Sequence, residues 1–304
     1  MPLHLTSAQV DTYDRDGFVF PIDVLSPEEV RSFRSELEDW ERQRGAPIDF
    51  PEKSKSYLLF DWADRLVHHP RILDAVQDVI GPDILVYHST LFVKEANTPA
   101  YVRWHQDSTY FHLSPHLHIT AWVALSDASV AAGCMQALPG SHRWGPFEHD
   151  DKPEPMNMIK RGQGISGRFD EAQGTFMPVK AGQMSLHHTD LVHASAGNGT
   201  DDRRLGYAIS YIPAHVKPTG PVTPSALRVR GRSHGHFVEE ARLHSALTPE
   251  AYARHGEALA RFRALQDSGF QGQPGGSSQL AQSAKGADAA QGAKNPNGTQ
   301  GTPA

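Results

Sequence analysis

A single cysteine, Cys134, stands among 304 residues. One thiol closes no internal disulfide and cannot build a thiolate metal site, so cysteine-held structural zinc is excluded. No apolar run approaches the ~20 residues that a helix needs to cross a bilayer. The opening Met-Pro-Leu-His-Leu-Thr carries neither a charged n-region nor an apolar h-region, so no secretory signal is expected. Positive charge is in short supply. The 29 Lys and Arg against 35 Asp and Glu leave a net charge of −6 and no basic footprint for nucleic acid. No heptad run marks a coiled-coil interface, and nothing fixes an oligomeric state. These absences point to a cytoplasmic protein with a small-molecule partner, acting on neither membrane nor nucleic acid.

What the chain does have is local order. Residues 6–15 predict a helix capped by Thr6 or Ser7 and closed by Gly17. Phe18-Val19-Phe20 reads as a short strand. Ser26-Pro27-Glu28-Glu29 is a strong helix start, with Ser26 as N-cap, Pro27 at the first position and Glu29 completing a capping box. That helix runs to about Gln43 and turns Val30, Phe33, Leu37 and Trp40 to one face, the mark of core packing. A further helix spans Pro70 to Ile80, stopped by Gly81-Pro82. From there the pattern changes to extended runs rich in β-branched and aromatic residues: Ile84–Val93, His118–Leu125, Gly182–His188 and Leu205–Ile212. Strands behind leading helices imply an antiparallel sandwich or barrel, mainly β with flanking helices. Residues 144–178 lack periodicity and read as a lid or insertion. Ser245 to Gln266 reads as a C-terminal helix. One domain is therefore expected over 1–270. After it, 271–304 is Gly, Gln, Ser and Ala with Leu280 as its one large aliphatic, too little apolar area to offset ordering entropy, so a disordered tail is expected.

Within this frame one constellation carries chemistry. Trp104-His105-Gln106-Asp107 is followed 86 residues later by His193 and eleven beyond that by Arg204. Positions i and i+2 of a strand share a face, so His105 and Asp107 are expected to point into one cavity with Gln106 turned away. Two imidazoles and a carboxylate form a facial triad on Fe(II), leaving the opposite face open for substrates and O2. An Arg can grip the far carboxylate of a keto acid whose other end chelates the metal. On the residues alone, His187, His188 and His215 rival His193 as third ligand, and Arg203 rivals Arg204.

The surrounding segments resemble the phytanoyl-CoA dioxygenase family of Fe(II)/2-oxoglutarate oxygenases. They are Leu5-Thr6-Ser7-Ala8-Gln9 with Tyr13 and Gly17-Phe18-Val19; the His105 segment; Ala121-Trp122-Val123-Ala124-Leu125; Gly133-Cys134-Met135 with Leu138-Pro139-Gly140-Ser141-His142; and Leu186-His187-His188 leading to His193-Ala194-Ser195, Asn198 and Asp202-Arg203-Arg204. They occur in the family's order and cover roughly residues 5 to 215. The resemblance implies a double-stranded β-helix, a cupin-like jelly-roll barrel with the metal in its mouth. It assigns His105, Asp107 and His193 to iron, and Arg204 and Ser195 to the distal carboxylate of 2-oxoglutarate. Arg204 is preferred over Arg203 because eleven residues after the ligand His is the family's usual offset.

The implied reaction consumes O2, decarboxylates 2-oxoglutarate to succinate, and hydroxylates an aliphatic carbon of a small metabolite or biosynthetic intermediate. Retention of Asp107, where halogenating relatives carry a small residue, favours hydroxylation over halogenation. Desaturation, cyclisation and epimerisation share the same first step. A non-catalytic cupin-like binding protein and a zinc hydrolase are the rival classes. Tyr110, Phe111, Trp122, Arg103 and His188 are the candidates for the substrate pocket, and His112, His116 and His118 could add positive charge to it.

Overall fold

The computed structural model describes residues 2–150, 154–159, 164–165 and 169–270. It opens with α1 (Ser7–Asp16), β1 (Phe18–Asp23), α2 (Pro27–Arg44), α3 (Asp61–Val67) and α4 (Pro70–Ile80). Strands then dominate: β2 (Ile84–Lys94), β3 (Val102–His105), the single turn α5 (Ser108–Phe111), β4 (Leu113–Ser114), β5 (Ile119–Ala124) and β6 (Met135–Ala137). These are followed by β7 (His149–Asp150), β8 (Gly164–Ile165), β9 (Thr175–Met177), β10 (Gln183–His188), β11 (His193–Ser195) and β12 (Arg204–Pro213). Last come β13 (Lys217–Pro218), β14 (Ser225–Arg230), β15 (Val238–Glu239) and the long helix α6 (Pro249–Phe270).

The helix starts follow from their caps. Thr6 and Gln9 exchange side-chain and backbone hydrogen bonds, and α1 ends where Gly17 turns left-handed at φ +83°. Ser26 and Glu29 form the same box before α2, with Pro27 in its first turn. The helix buries Val30, Phe33 and Leu37, and Trp40 meets Phe60 edge-on at 5.0 Å. Helix α3 was not anticipated, being about two turns long with too little periodicity to read.

Two sheets carry the rest. The larger has seven strands in the order β1-β10-β5-β12-β2-β14-β15; the smaller has four, β3-β11-β6-β9. Their pairings are antiparallel except for β14 with β15. The two sheets face each other across a cavity, as the jelly-roll reading expected, with hydrogen bonding running inside each sheet rather than around a closed barrel.

Alternation along the large sheet decides which residues see the cavity. On β12, Leu205, Tyr207, Ile209 and Tyr211 join Ala121, Val123, Met184 and Leu186 in the core that α2, α3 and α4 cover. The intervening positions, Arg204 and Ala208 among them, line the cavity. Gly206 has no Cβ because the ring of Trp122 occupies that space, 1.8 Å from where a Cβ would sit.

The segment 144–178, read as one insertion, contains more structure than expected. Thr175–Met177 is strand β9, paired with β6, and so belongs to the small sheet. Short strands of this kind have no alternation long enough to read. Residues 151–153, 160–163 and 166–168 of that segment, and the tail 271–304 expected to be disordered, lie outside the described residues.

Leu37 is fully buried in the core between helices and sheet. Leu37→Ala is expected to cost about 2–5 kcal/mol of stability. Urea unfolding should show a lower midpoint at unchanged slope; an unchanged midpoint would contradict the packing described.

Candidate metal centre

His105 is the last residue of β3, and its register partner on β11 is His193. The pairing brings their rings to 4.1 Å between centroids. Asp107 arrives differently from the strand alternation expected. The strand ends at His105, and Asp107 adopts a helical conformation (φ −62°, ψ −34°) as the cap of α5. That turn, not a pleat, swings the carboxylate beside the imidazoles. Gln106 does point away: its amide donates to the carbonyls of Gly145 and Asp190 and accepts from the Phe147 N–H, pinning two loops.

One ligand atom from each of His105, Asp107 and His193 lies within 4.8 Å of the others. Nε2 of His105 is 3.4 Å from Asp107 Oδ1, and Nε2 of His193 is 3.9 Å from the same oxygen. An ion with bonds of ~2.1 Å spans donors about 3 Å apart when they are adjacent and ~4.2 Å when opposed, so these separations bracket one ion. The tautomers fit as well. Nδ1 of His105 meets the Arg103 carbonyl at 2.8 Å, and Nδ1 of His193 meets the Leu191 carbonyl at 2.9 Å. Each Nδ1 must therefore carry the proton, which leaves the Nε2 lone pair facing Asp107. His187, a sequence-level rival for the third place, approaches the other carboxylate oxygen, Oδ2, at 3.5 Å.

Thr120 also donates to Oδ2, at 3.1 Å, and so its own oxygen is left to accept from His118 Nε2 at 3.2 Å. The other ring nitrogen of His118 then accepts from the Thr189 hydroxyl at 3.0 Å. This directional chain ties down one oxygen of Asp107 and leaves Oδ1 to the imidazoles. Burial, with His105 beside it, keeps His193 neutral.

A cavity of about 60 Å³ opens between the triad and Arg204. Arg204 is buried; its Nη1 donates to the Gly133 carbonyl at 2.9 Å, its guanidinium lies over Trp122 at 5.2 Å, and its Nε has no partner. Among the described residues no carboxylate pairs with it. Arg203 points the other way, to Glu41 at 2.6 Å and Glu95 at 2.9 Å. Ser195 lines the same cavity. Sequence reading missed Lys94, which pairs with Arg204 across β2 and β12 and whose Nζ donates to Ser195 Oγ at 2.7 Å. The signal was a lysine closing an apolar strand on the same parity as Phe92. Burial, with Arg204 nearby, pushes Lys94 down to about 6 and Arg204 down to about 10. A buried arginine with no acid beside it calls for an anion.

On the triad's other side lies a second cavity of about 210 Å³. Tyr110 and Phe111 line it as expected, while Trp122 lines the smaller cavity instead. Arg103 and His188 line neither. Arg103 is held by Asp150 through two bonds of 2.8 and 2.9 Å, and His188 Nδ1 accepts from the Asp190 N–H at 3.1 Å. His116 is likewise paired with Asp190, at 3.0 Å. Their charge or lone pair is spent on loops beside the site. His88, Phe262 and Gln266, absent from the sequence-level candidates, do line it.

The profile of the family described as phytanoyl-CoA dioxygenase (PhyH) matches residues 13–206. The chain belongs to the PhyH family. It is similar to the probable α-ketoglutarate-dependent hypophosphite dioxygenase of Stutzerimonas stutzeri, 29% identical over 53% of this chain and 57% of the relative's length. The ectoine dioxygenase of Halomonas elongata is 26% identical over 76% of each chain. Among solved structures, the non-heme monooxygenase ThoJ in its apo form is 34% identical with a TM-score of 0.78, covering 87% of this chain and all of that one. The α-ketoglutarate-dependent carbocyclase SnoK is 28% identical with a TM-score of 0.57, over 71% of this chain and 88% of SnoK. As a PhyH-family member the protein is an Fe(II)- and 2-oxoglutarate-dependent oxygenase, and the donor set and the buried arginine suit the two groups. Among the described residues no helix is long and apolar enough to cross a membrane.

Thr120→Val removes the hydroxyl at constant volume and should weaken Fe(II) binding about 10- to 100-fold, with Thr120→Ser close to wild type. Calorimetric titration of the metal checks this, and equal affinities for all three proteins would refute it. Acid stability offers a second check. Burial pushes His118 down to about 3 and His188 to about 4. The unfolded chain therefore takes up protons first, so stability is full above about pH 6.5 and falls from there towards pH 4. A urea midpoint flat across that window would contradict the burial of these rings.

Proposed function

We propose that residues 1–270 form one oxygenase domain that hydroxylates an aliphatic carbon of a small metabolite or biosynthetic intermediate. The observation that carries this reading is a single cavity with a His-His-Asp donor set at one end and an acid-free buried arginine at the other. A plain binding protein has no use for that pairing.

In this assignment His105, Asp107 and His193 hold Fe(II). Arg204 takes the distal carboxylate of 2-oxoglutarate. Ser195 adds its hydroxyl proton, since its oxygen already accepts from Lys94. When bound, iron, 2-oxoglutarate and O2 together supply oxidative decarboxylation to succinate and the power to remove a hydrogen from carbon. The chain's own tasks are narrower. Thr120 and His187 engage Oδ2 of Asp107 and leave the other oxygen for the metal. Phe92, Trp122 and Met135 give the keto-acid cavity apolar walls that exclude water. Asp107 fills the position that a halide would need, which favours hydroxylation. Met158 and Ile159 line the larger cavity, so we assign the segment ahead of β9 as its lid. The likeness to a carbocyclase favours ring closure as the second outcome, which begins with the same removal of hydrogen. A single free cysteine, Cys134, and the labile Fe(II) suit the reducing cytoplasm.

Anaerobic reconstitution with Fe(II), then 2-oxoglutarate and O2, should yield succinate. Asp107→Ala should abolish it while leaving the fold intact. Arg204→Ala should raise the 2-oxoglutarate concentration for half-saturation by about 10- to 100-fold, the range of a lost charge-assisted pair. Undiminished succinate in the first variant removes the triad assignment, and unchanged affinity in the second moves the clamp elsewhere.

A further inference from the structure

The cavity of about 210 Å³ shares His105 and Asp107 with the keto-acid cavity but has a different chemistry. Its rings include Tyr110, Phe111 and Phe262, and away from the triad its polar side chains are uncharged, among them His88, Thr90, Ser210 and Gln266. Apart from Asp107, no carboxylate, lysine or arginine among the described residues lines it. A charged ligand would leave water there without a counter-charge, a heavy penalty. Size narrows the choice further. An apolar cavity of ~150 Å³ takes up one benzene ring, whereas pockets for drug-sized ligands run to ~300–1,000 Å³. The space here suits one ring with small substituents.

His88 supplies the polar contact. It lies on the inner face of β2, is 8% exposed, and stacks on Phe262 of α6 with ring centroids 4.2 Å apart and planes 18° apart. The stack fixes the plane of the imidazole. Its Nδ1 is buried and has no hydrogen-bond partner, an exception that demands a missing partner. Burial holds this imidazole well below its usual range, so it meets a ligand uncharged. Helix α6 is tied to the site by Gln266, whose amide donates to the Tyr110 carbonyl at 3.4 Å. That helix lies beyond residue 206, where the family match stops. The wall it forms therefore lies outside the segment that the family model covers.

Resting on the oxygenase reading, we propose that this chamber binds an uncharged aromatic ring bearing an aliphatic carbon and one polar substituent. Phe262 and His88 are its specificity-determining residues: Phe262 stacks or edges against the ring, and the His88 imidazole bonds the polar substituent. The aliphatic carbon then lies towards His105 and Asp107. A zwitterionic amino acid does not fit, because its carboxylate meets no lysine or arginine among the described lining residues and the one acid, Asp107, is committed to the metal in the reading above.

The probes are p-cresol, toluene and L-proline, offered to the full chain loaded anaerobically with Fe(II) and 2-oxoglutarate. Binding is followed by saturation-transfer NMR, and thermal melting confirms that each variant is folded. p-Cresol should bind and L-proline should not. Phe262→Ala should weaken p-cresol about tenfold. His88→Phe keeps a stacked ring but removes the nitrogen, so it should weaken p-cresol about tenfold and leave toluene unchanged. Tighter binding of L-proline than of p-cresol overturns the proposal, as does p-cresol binding that both variants leave untouched. The visible absorption of the Fe(II)–2-oxoglutarate complex is read on the same samples. If that band forms and no ring binds, this inference fails alone; if the band is missing, the functional reading fails, and ring binding still decides the chamber.

Discussion

Asp107 is a carboxylate at the meeting of two cavities with only imidazoles around its ligand oxygen: His105 and His193 on Oδ1, His187 towards Oδ2. Two of those imidazoles are committed by backbone carbonyls to present lone pairs rather than protons. Lone pairs facing an anion are stable only around a cation, and no lysine or arginine among the described residues pairs with this acid. The surrounding structure serves that constraint. The β3–β11 register sets the two histidines opposite each other, the α5 turn delivers the acid, and the Thr189–His118–Thr120 chain fixes its second oxygen.

Charge is segregated on either side of this point. Arg204, buried with no acid beside it among the described residues, makes the smaller cavity electropositive, while away from Asp107 the larger is lined by rings and uncharged polar groups. Burying Arg204 without an acid carries a desolvation cost that an anion in the cavity would offset. Gly206 and Gly133 are the backbone's contribution: one leaves room for the Trp122 ring against Arg204, and the other, left-handed at φ +67°, offers Arg204 its carbonyl.

Much of this was legible in the residues. Caps and periodicity placed α1, α2 and α4, because Thr6, Ser26 and Pro70 act within a single turn of chain. The long strands β2, β5, β10 and β12 declared themselves by β-branched and aromatic runs, while the choice of Arg204 over Arg203 came from the family's offset after the ligand His. The His-x-Asp pair with its distant His, in the company of the other family segments, named the metal chemistry. The short strands β3, β6, β9 and β11 left no such trace, since three or four residues carry no period.

The sequence by itself determined the ligand types, the parity of the long strands and the helix boundaries, all set by interactions spanning a few residues. Only the tertiary structure decided which histidines share a cavity, that Asp107 enters by a turn, that Lys94 stands beside Arg204, and that Arg103 and His188 are spent on neighbouring acids and loops. It also brought His88 and Phe262 into one stack across 174 residues of chain. Such choices depend on which strands pair and what each side chain finds when it is buried, and those energies exist only once distant segments meet.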